Sequence, residues 1–253
     1  MQRGFTALKN SKPNNQIMNS QSRPIMSPDA ALFLSSPYFE NDPIGAKIYF
    51  FKNNSFACWD VNEEKLCEGY PKSIRVSWPG LQEAFPETKL RAALHVPAWG
   101  SLVFFLFEGQ KEFAVWDLDQ QRLLDDRMTI DMVLPGSFTD GDFTPVYSEL
   151  SDRTPVIYAF QGHDFLKWSV GSQWPAKLDA GYPHKTAADW KDGLVLAPRT
   201  GVYLEWTARS TAHSNRKIYY FMGDLYLRWD VPSNTRNYRL DIVAGWIGWP
   251  QFD

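Results

Sequence analysis

Cysteine and histidine are scarce in this 253-residue chain, which has two of the first and four of the second. Two cysteines with the scattered His95, His163, His184 and His213 cannot supply a four-cysteine or two-cysteine, two-histidine zinc site. A basic excess is missing as well: 26 Lys and Arg stand against 29 Asp and Glu, for a net charge of −3. That balance lacks the electrostatic footprint of a nucleic-acid binder. No apolar run approaches the roughly 18 residues of a membrane span. The longest, such as residues 101–107, are strand-sized, so a soluble protein with no membrane span is expected. Gly-x-Ser-x-Gly, His-Glu-x-x-His and phosphate-loop patterns are also absent, and an enzyme has no residue constellation in its favour.

Residues 1–27 contain Arg3, Lys9, Lys12 and Arg23 without an acidic residue and are rich in Asn and Ser, which reads as a flexible N-terminal tail. No apolar run of about 7–15 residues accompanies these charges, so no secretory signal is visible. A mature form lacking its signal would look the same, and the compartment stays open: cytoplasmic, or released without a classical signal.

Aromatic residues are plentiful, with 11 Trp, 11 Tyr and 17 Phe, and they are phased. The run Ile48-Tyr49-Phe50-Phe51, a short turn, and Phe56-Ala57-Cys58-Trp59-Asp60 recurs as Phe104–Phe107 with Phe113–Asp117, as Ile157–Phe160 with Phe165–Trp168, and as Ile218–Phe221 with Leu225–Asp230. The terminal tryptophans Trp59, Trp116, Trp168 and Trp229 fall at intervals of roughly 50–60 residues, a spacing that signals a structural repeat. Each copy reads as a β-hairpin whose turn carries Asn53, Gly109, Gly162 or Gly223, residues that tolerate the positive φ of tight turns. A second recurrent piece follows: Gly69-Tyr70-Pro71 then Trp78-Pro79, Leu134-Pro135, Gly181-Tyr182-Pro183 then Trp190, and Trp249-Pro250. Residues 185–191 suit a short helix that packs Trp190 inward.

Ahead of each hairpin lies a short candidate inner strand, read as Asp29–Leu32, Arg91–Leu94, Tyr147–Leu150 and Tyr203–Trp206. A weaker fourth strand follows each hairpin, over 65–67, 123–125, 177–179 and 237–240. Four units of four antiparallel strands, with short helices between them, predict an all-β, four-bladed β-propeller spanning 28–253, with blades at about 28–82, 88–138, 143–194 and 200–250. Neighbouring blades must supply the core, because no blade can bury both faces alone.

With these pieces in place, the chain resembles the hemopexin-like repeat family, whose unit runs from Asp-Ala-Ala through Tyr-Phe-Phe-x-Gly to Gly-Tyr-Pro and a Trp-Pro helix. The likeness covers about 28–250 and is nearest to the free-standing plant seed albumins and microbial members. Departures are plain: only Asp29 supplies the first-strand Asp, the second blade lacks Gly-Tyr-Pro, and no cysteine pair joins the first and last blades. The resemblance implies a noncatalytic binding protein with an ion in its axial channel, calcium or sodium with chloride further along. It places that ion on the backbone carbonyls of Asp29, Arg91, Tyr147 and Tyr203. Arg91 sits uneasily in such a ring, because a guanidinium repels a cation or recruits an anion.

Glu149 and Glu205 occupy equivalent positions near this axis. They predict either an acidic mouth that attracts a small cationic ligand such as a polyamine, or carboxylates paired with neighbouring cations. Heme is a family ligand, but each histidine has an ordinary place, His163 in a turn, His184 after Gly-Tyr-Pro, His213 in the polar loop 207–216 and His95 at the start of a loop before Pro97, and the sequence does not indicate heme. The alternative class is a protein- or glycan-recognition module of a host-interaction or toxin-like protein, docking through the loops 35–45 and 207–216. Within the binding reading, the unphased aromatics Tyr38, Phe39, Trp99 and Trp174 are the expected functional ones. The acidic loop Thr139–Asp142 reads as an interblade linker, since it lacks a calcium-loop pattern. Finally, if Asp60 faces Lys65 across an antiparallel pair, Cys58 and Cys67 are directly opposed: a cross-strand disulfide is feasible, and two reduced thiols are the alternative.

Overall fold

The computed structural model describes residues 27–36, 38–39, 42, 44–86, 88–138, 142–150, 152–186, 198–207, 214–231, 233, 235–246, 248–250 and 252. The tail through residue 26, Trp190 with the rest of its expected helix from residue 187, His213 and residues 139–141 lie outside them.

Four antiparallel sheets form the four blades of a propeller. The first contains β1 (Ala30–Leu34), β2 (Lys47–Lys52), β3 (Ser55–Asp60), β4 (Lys65–Leu66) and β5 (Lys72–Ser73). The second runs through β6 (Leu90–His95), β7 (Leu102–Phe107), β8 (Glu112–Asp117), β9 (Arg122–Leu123) and β10 (Met128–Thr129). The third has β11 (Thr144–Glu149), β12 (Pro155–Gln161), β13 (Asp164–Ser169), β14 (Lys177–Leu178) and β15 (His184–Lys185). The fourth has β16 (Thr200–Thr207), β17 (Ser214–Met222), β18 (Leu225–Asp230) and β19 (Thr235–Asp241). The inner strands β1, β6, β11 and β16 touch in a closed ring around the axis. The outer strand is split in three blades: β4 and β5 both pair with β3, with Gly69-Tyr70-Pro71 looping out between them.

Strand alternation explains why these aromatic runs stay buried on both sides. Successive side chains on a strand point to opposite faces. Accordingly, Tyr49 and Phe51 of β2 pack toward the second blade with Phe105 and Trp116, while Ile48 and Phe50 pack toward the fourth with Phe221 and Trp246. Each seam between blades is thus an aromatic core, and Trp78, Trp116 and Trp168 are wholly buried within it. Rings meet mostly edge to face, as Trp78 and Trp116 do at 5.1 Å, the arrangement aromatic quadrupoles favour.

The aspartates that close β3 and β8 have a local task. Asp60 Oδ1 accepts from the backbone N–H groups of Asn62 and Glu63, and Asp117 Oδ1 accepts from those of Asp119 and Gln120. Asp60 Oδ2 also pairs with Lys47 Nζ at 2.9 Å in a fully buried salt bridge. Burial alone would raise this carboxyl, but Lys47 and the two N–H groups outweigh it and hold Asp60 below the usual carboxylate range.

The sequence-derived inner strands need correction in the last two blades. Ala30 faces Phe51, Ala92 faces Leu106, Thr144 faces Phe160 and Thr200 faces Phe221. The residues level with Asp29 and Arg91 are therefore Phe143 and Arg199. Tyr147 and Tyr203 lie four residues further along their strands, near the opposite end of the axis.

A candidate ligand site at one mouth of the axis

Two mouths flank the ring of inner strands, and they differ in chemistry. At the first, Asp29 is buried. Its Oδ2 accepts from the Asn53 backbone N–H at 3.0 Å, and its Oδ1 takes Arg199 Nη2 at 2.8 Å. Arg91 places Nε 3.0 Å from Asp142 Oδ1 and donates Nη1 to the main-chain carbonyl of Arg199. Thr144 Oγ1 donates to that same carbonyl at 3.0 Å.

The expected ring of carbonyls from Asp29, Arg91, Tyr147 and Tyr203 therefore does not form, since two of its members sit at each end of the channel. Nor does the donor set at this first mouth fit a metal cation. One carbonyl is already occupied by a guanidinium and a hydroxyl, and Arg91 and Arg199 both bring positive charge to this mouth. Among the described residues no cluster of three or more His, Cys, Asp or Glu side chains is placed to hold a metal ion.

At the second mouth a cavity of about 310 Å³ is lined by the same register positions from all four blades. Its walls include Ala31, Ala93, Pro145 and Gly201; then Leu32, Leu94, Val146 and Val202; then Phe33, His95, Tyr147 and Tyr203; and at the rim Ser35, Pro97, Glu149 and Glu205. Small residues at the inner level are a packing requirement. A Cβ on Gly201 would stand 2.6 Å from Val146 Cγ2.

The two glutamates share one level of adjacent blades and are each oriented by the tyrosine two residues before. Tyr147 Oη donates to Glu149 Oε1 at 2.8 Å, and Tyr203 Oη donates to Glu205 Oε2 at 3.3 Å. The tyrosine rings meet edge to face at 5.7 Å. Burial drives both phenols far above their ordinary value, and the facing carboxylates push the same way, so both remain donors. Arg216 stands opposite Glu205 in register and donates Nη1 to the Leu150 carbonyl at 2.7 Å. The rim thus carries two oriented carboxylates with one guanidinium on the Glu205 flank.

Sequence reasoning missed His95 as part of this wall. Burial pulls its imidazole below the ordinary histidine value, partly offset by the 3.2 Å contact of Nε2 with the Gly100 carbonyl. It therefore presents a neutral ring at the level of Phe33, Tyr147 and Tyr203. His184 instead packs on Tyr182 at 4.3 Å, and His163 is exposed in the β12–β13 turn.

Three of the four unphased aromatics are structural. Tyr38 stacks on Trp78 at 4.8 Å and accepts from Trp116 Nε1 at 2.8 Å. Phe39 packs on Tyr49, Phe56 and Trp78, and Trp99 is buried against Phe104. Only Trp174 is substantially exposed, at 38%. Cys58 and Cys67 are joined as a disulfide with Cα atoms 5.3 Å apart. Asp60 does face Lys65, and the Cys67 N–H donates to the Cys58 carbonyl at 2.8 Å. Asp142, the described end of the acidic loop, is the partner of Arg91. No helix among the described residues is long and apolar enough to cross a membrane.

Comparison with known proteins places this architecture. Residues 38–83 match the Hemopexin family model, and no curated protein sequence matches the chain. A hemopexin-fold protein from cow pea superposes with a TM-score of 0.62 at 16% identity, over 87% of this chain and 96% of the other. A 2S albumin seed protein from Dolichos gives 0.61 at 16% identity with the same coverage. A plant lectin with two metal-binding sites from Cicer arietinum gives 0.55 at 13%, over 86% and 94%. The first blade thus carries a Hemopexin repeat, and the chain folds as a hemopexin-like four-bladed propeller.

Proposed function

We propose that this chain is a noncatalytic binding protein that takes a small organic cation, of the polyamine class, into the Glu149/Glu205 mouth of its axis. One observation carries the reading: two carboxylates, each fixed by a buried tyrosine donor, stand at the rim of a largely apolar cavity of about 310 Å³. Ammonium groups pair with oriented carboxylates through charge-assisted hydrogen bonds, and a methylene chain suits the Ala, Val and Leu walls below. Because Arg91 and Arg199 cap the opposite mouth, the chain would enter from the acidic end. Catalysis has no part in the reading, and neither heme nor a resident metal is needed for it.

The test is calorimetry with spermine on the wild type and on the double variant Glu149→Gln/Glu205→Gln. Saturable binding that the double variant loses is expected. Equal binding by both proteins, or none by either, overturns the reading.

A second reading, a glycan- or protein-recognition module, draws on the lectin among the structural neighbours and on Ile44, which is 83% exposed in the 35–45 loop. Its measurement is a glycan array, with Ile44→Ser expected to remove any signal.

A further inference from the structure

The wall of the Glu149/Glu205 mouth holds one titratable side chain to which binding has so far assigned no task. One level of that wall is made by a single residue from each inner strand, Phe33, His95, Tyr147 and Tyr203, at matching register positions. The two glutamates stand two residues further along β11 and β16. At about 3.3 Å per strand residue, the imidazole level lies roughly 7 Å below the carboxylates. A ligand seated between the glutamates and reaching into the cavity meets His95 on its way.

The tautomer of this ring follows from its neighbour. A carbonyl only accepts, so the 3.2 Å contact with Gly100 puts the proton on Nε2. Nδ1 is then the basic nitrogen of the neutral ring, and a second proton binds there.

The charges around this level come from several strands. β11 and β16 bring Glu149 and Glu205, each engaged by its own tyrosine hydroxyl, and β17 brings Arg216, opposite Glu205 in register. β1 contributes Phe33 and β7 places Val103 opposite His95, neither of them charged. Beyond β7, β8 ends in Asp117, which is engaged by Ser101 and by two turn N–H groups. On β6 itself the other ionisable residue is Arg91, at the opposite mouth.

We infer, on the cation-binding reading above, that His95 makes capture at this mouth pH-dependent: a neutral imidazole admits an organic cation, and its protonation puts a positive charge in the wall that drives the cation out. Two effects act in the same direction. The imidazolium repels an ammonium group across a largely apolar space, where charges are weakly screened. It also gives the rim carboxylates a competing cationic partner. Because burial favours the uncharged ring, the change falls on the acid side of the ordinary histidine value of 6.5. By reciprocity, binding within the transition releases protons.

The test is calorimetry with spermine on the full-length protein at about pH 7 and about pH 5, a range in which alkylammonium groups stay charged. Wild-type affinity should fall by about tenfold or more between the two. His95→Gln keeps an N–H for the Gly100 carbonyl but takes up no proton, and His95→Phe carries the residue found at this level of the first blade. In both variants the ratio of the two affinities should shrink to about threefold or less. Wild-type titrations near pH 6 in two buffers of different ionisation enthalpy should show proton release, reduced in His95→Gln. Failure of spermine to bind at about pH 7 overturns the cation reading and the pH switch together. Binding that Glu149→Gln/Glu205→Gln abolishes, with an affinity ratio undiminished in both His95 variants, leaves the site standing and overturns the switch alone. So does a wild-type affinity that is the same at both pH values.

Discussion

Arg91 reaches across the axis and donates Nη1 to the main-chain carbonyl of Arg199, 108 positions away in sequence. One mouth of the ring is therefore stapled by a side chain of the protein. The expected consequence is a thermal midpoint that does not change on dialysis against a chelator or on addition of calcium. Arg91→Ala frees the carbonyl and leaves Asp29 and Asp142 facing the axis. That variant should melt lower and should gain stability when calcium is added. Differential scanning calorimetry of both proteins, with and without chelator, checks this.

Breaking the Lys47–Asp60 pair should be costly, because removing one partner strands a buried charge. Asp60→Ala also frees two turn N–H groups, and a loss of about 3–5 kcal/mol is expected in urea unfolding. The pH dependence has a definite sign. The folded carboxyl is held below its ordinary 3.8, so its contribution is complete above about that pH and is lost as pH falls through the lower folded value. Asp60→Asn should flatten that part of the acid limb.

His95 contributes at milder acidity. Its folded value lies below the ordinary 6.5, so the unfolded chain takes up the proton first, and stability declines as pH drops below about 6.5 toward the folded value. Replacing it with the residue at the same level of the first blade, His95→Phe, should remove this component of a stability-versus-pH curve.

Tyr38→Phe keeps the stacked ring on Trp78 and deletes only the acceptor for Trp116 Nε1. Leaving that donor unpaired should cost about 1–3 kcal/mol, read as a lower urea midpoint with an unchanged m value.

The Cys58–Cys67 link closes a short loop, and chain-entropy arguments assign such a loop roughly 2–3 kcal/mol. Intact mass before and after reduction should differ by the two hydrogens of one bridge. Cys58→Ala/Cys67→Ala should fall in stability by about that amount, with no further sensitivity to reductant.

The hairpins were legible in the sequence because their signal is redundant. Trp59, Trp116, Trp168 and Trp229 each close an aromatic strand, so an error in one copy is corrected by the others. The inner strands carry no such redundancy. Thr144-Pro145-Val146 and Thr200-Gly201-Val202 share little with Ala30-Ala31-Leu32 beyond small size, and their register is decided by pairing with the hairpin, a contact between distant residues. Anchoring on Tyr147 and Tyr203 therefore shifted the ring by four positions. The equivalence of Glu149 and Glu205 does not depend on that shift, because the two are aligned with each other rather than with the first blade. Tyr38 and Trp99 misled in another way. An aromatic outside the repeat looks free for ligand, yet it also serves to fill a seam that the repeat leaves open.

The first blade's outer wall, formed by Ile48, Phe50 and Trp59, is covered by Trp246 and Trp249. A growing polypeptide on the ribosome therefore lacks the cover for this greasy surface until Trp246 and Trp249, roughly two hundred residues further along, have been made. The segment that carries Trp246 and Trp249 acts as the clasp of a necklace. A nascent chain stalled or truncated before Trp246 would be a natural client for chaperones that recognise aromatic surface.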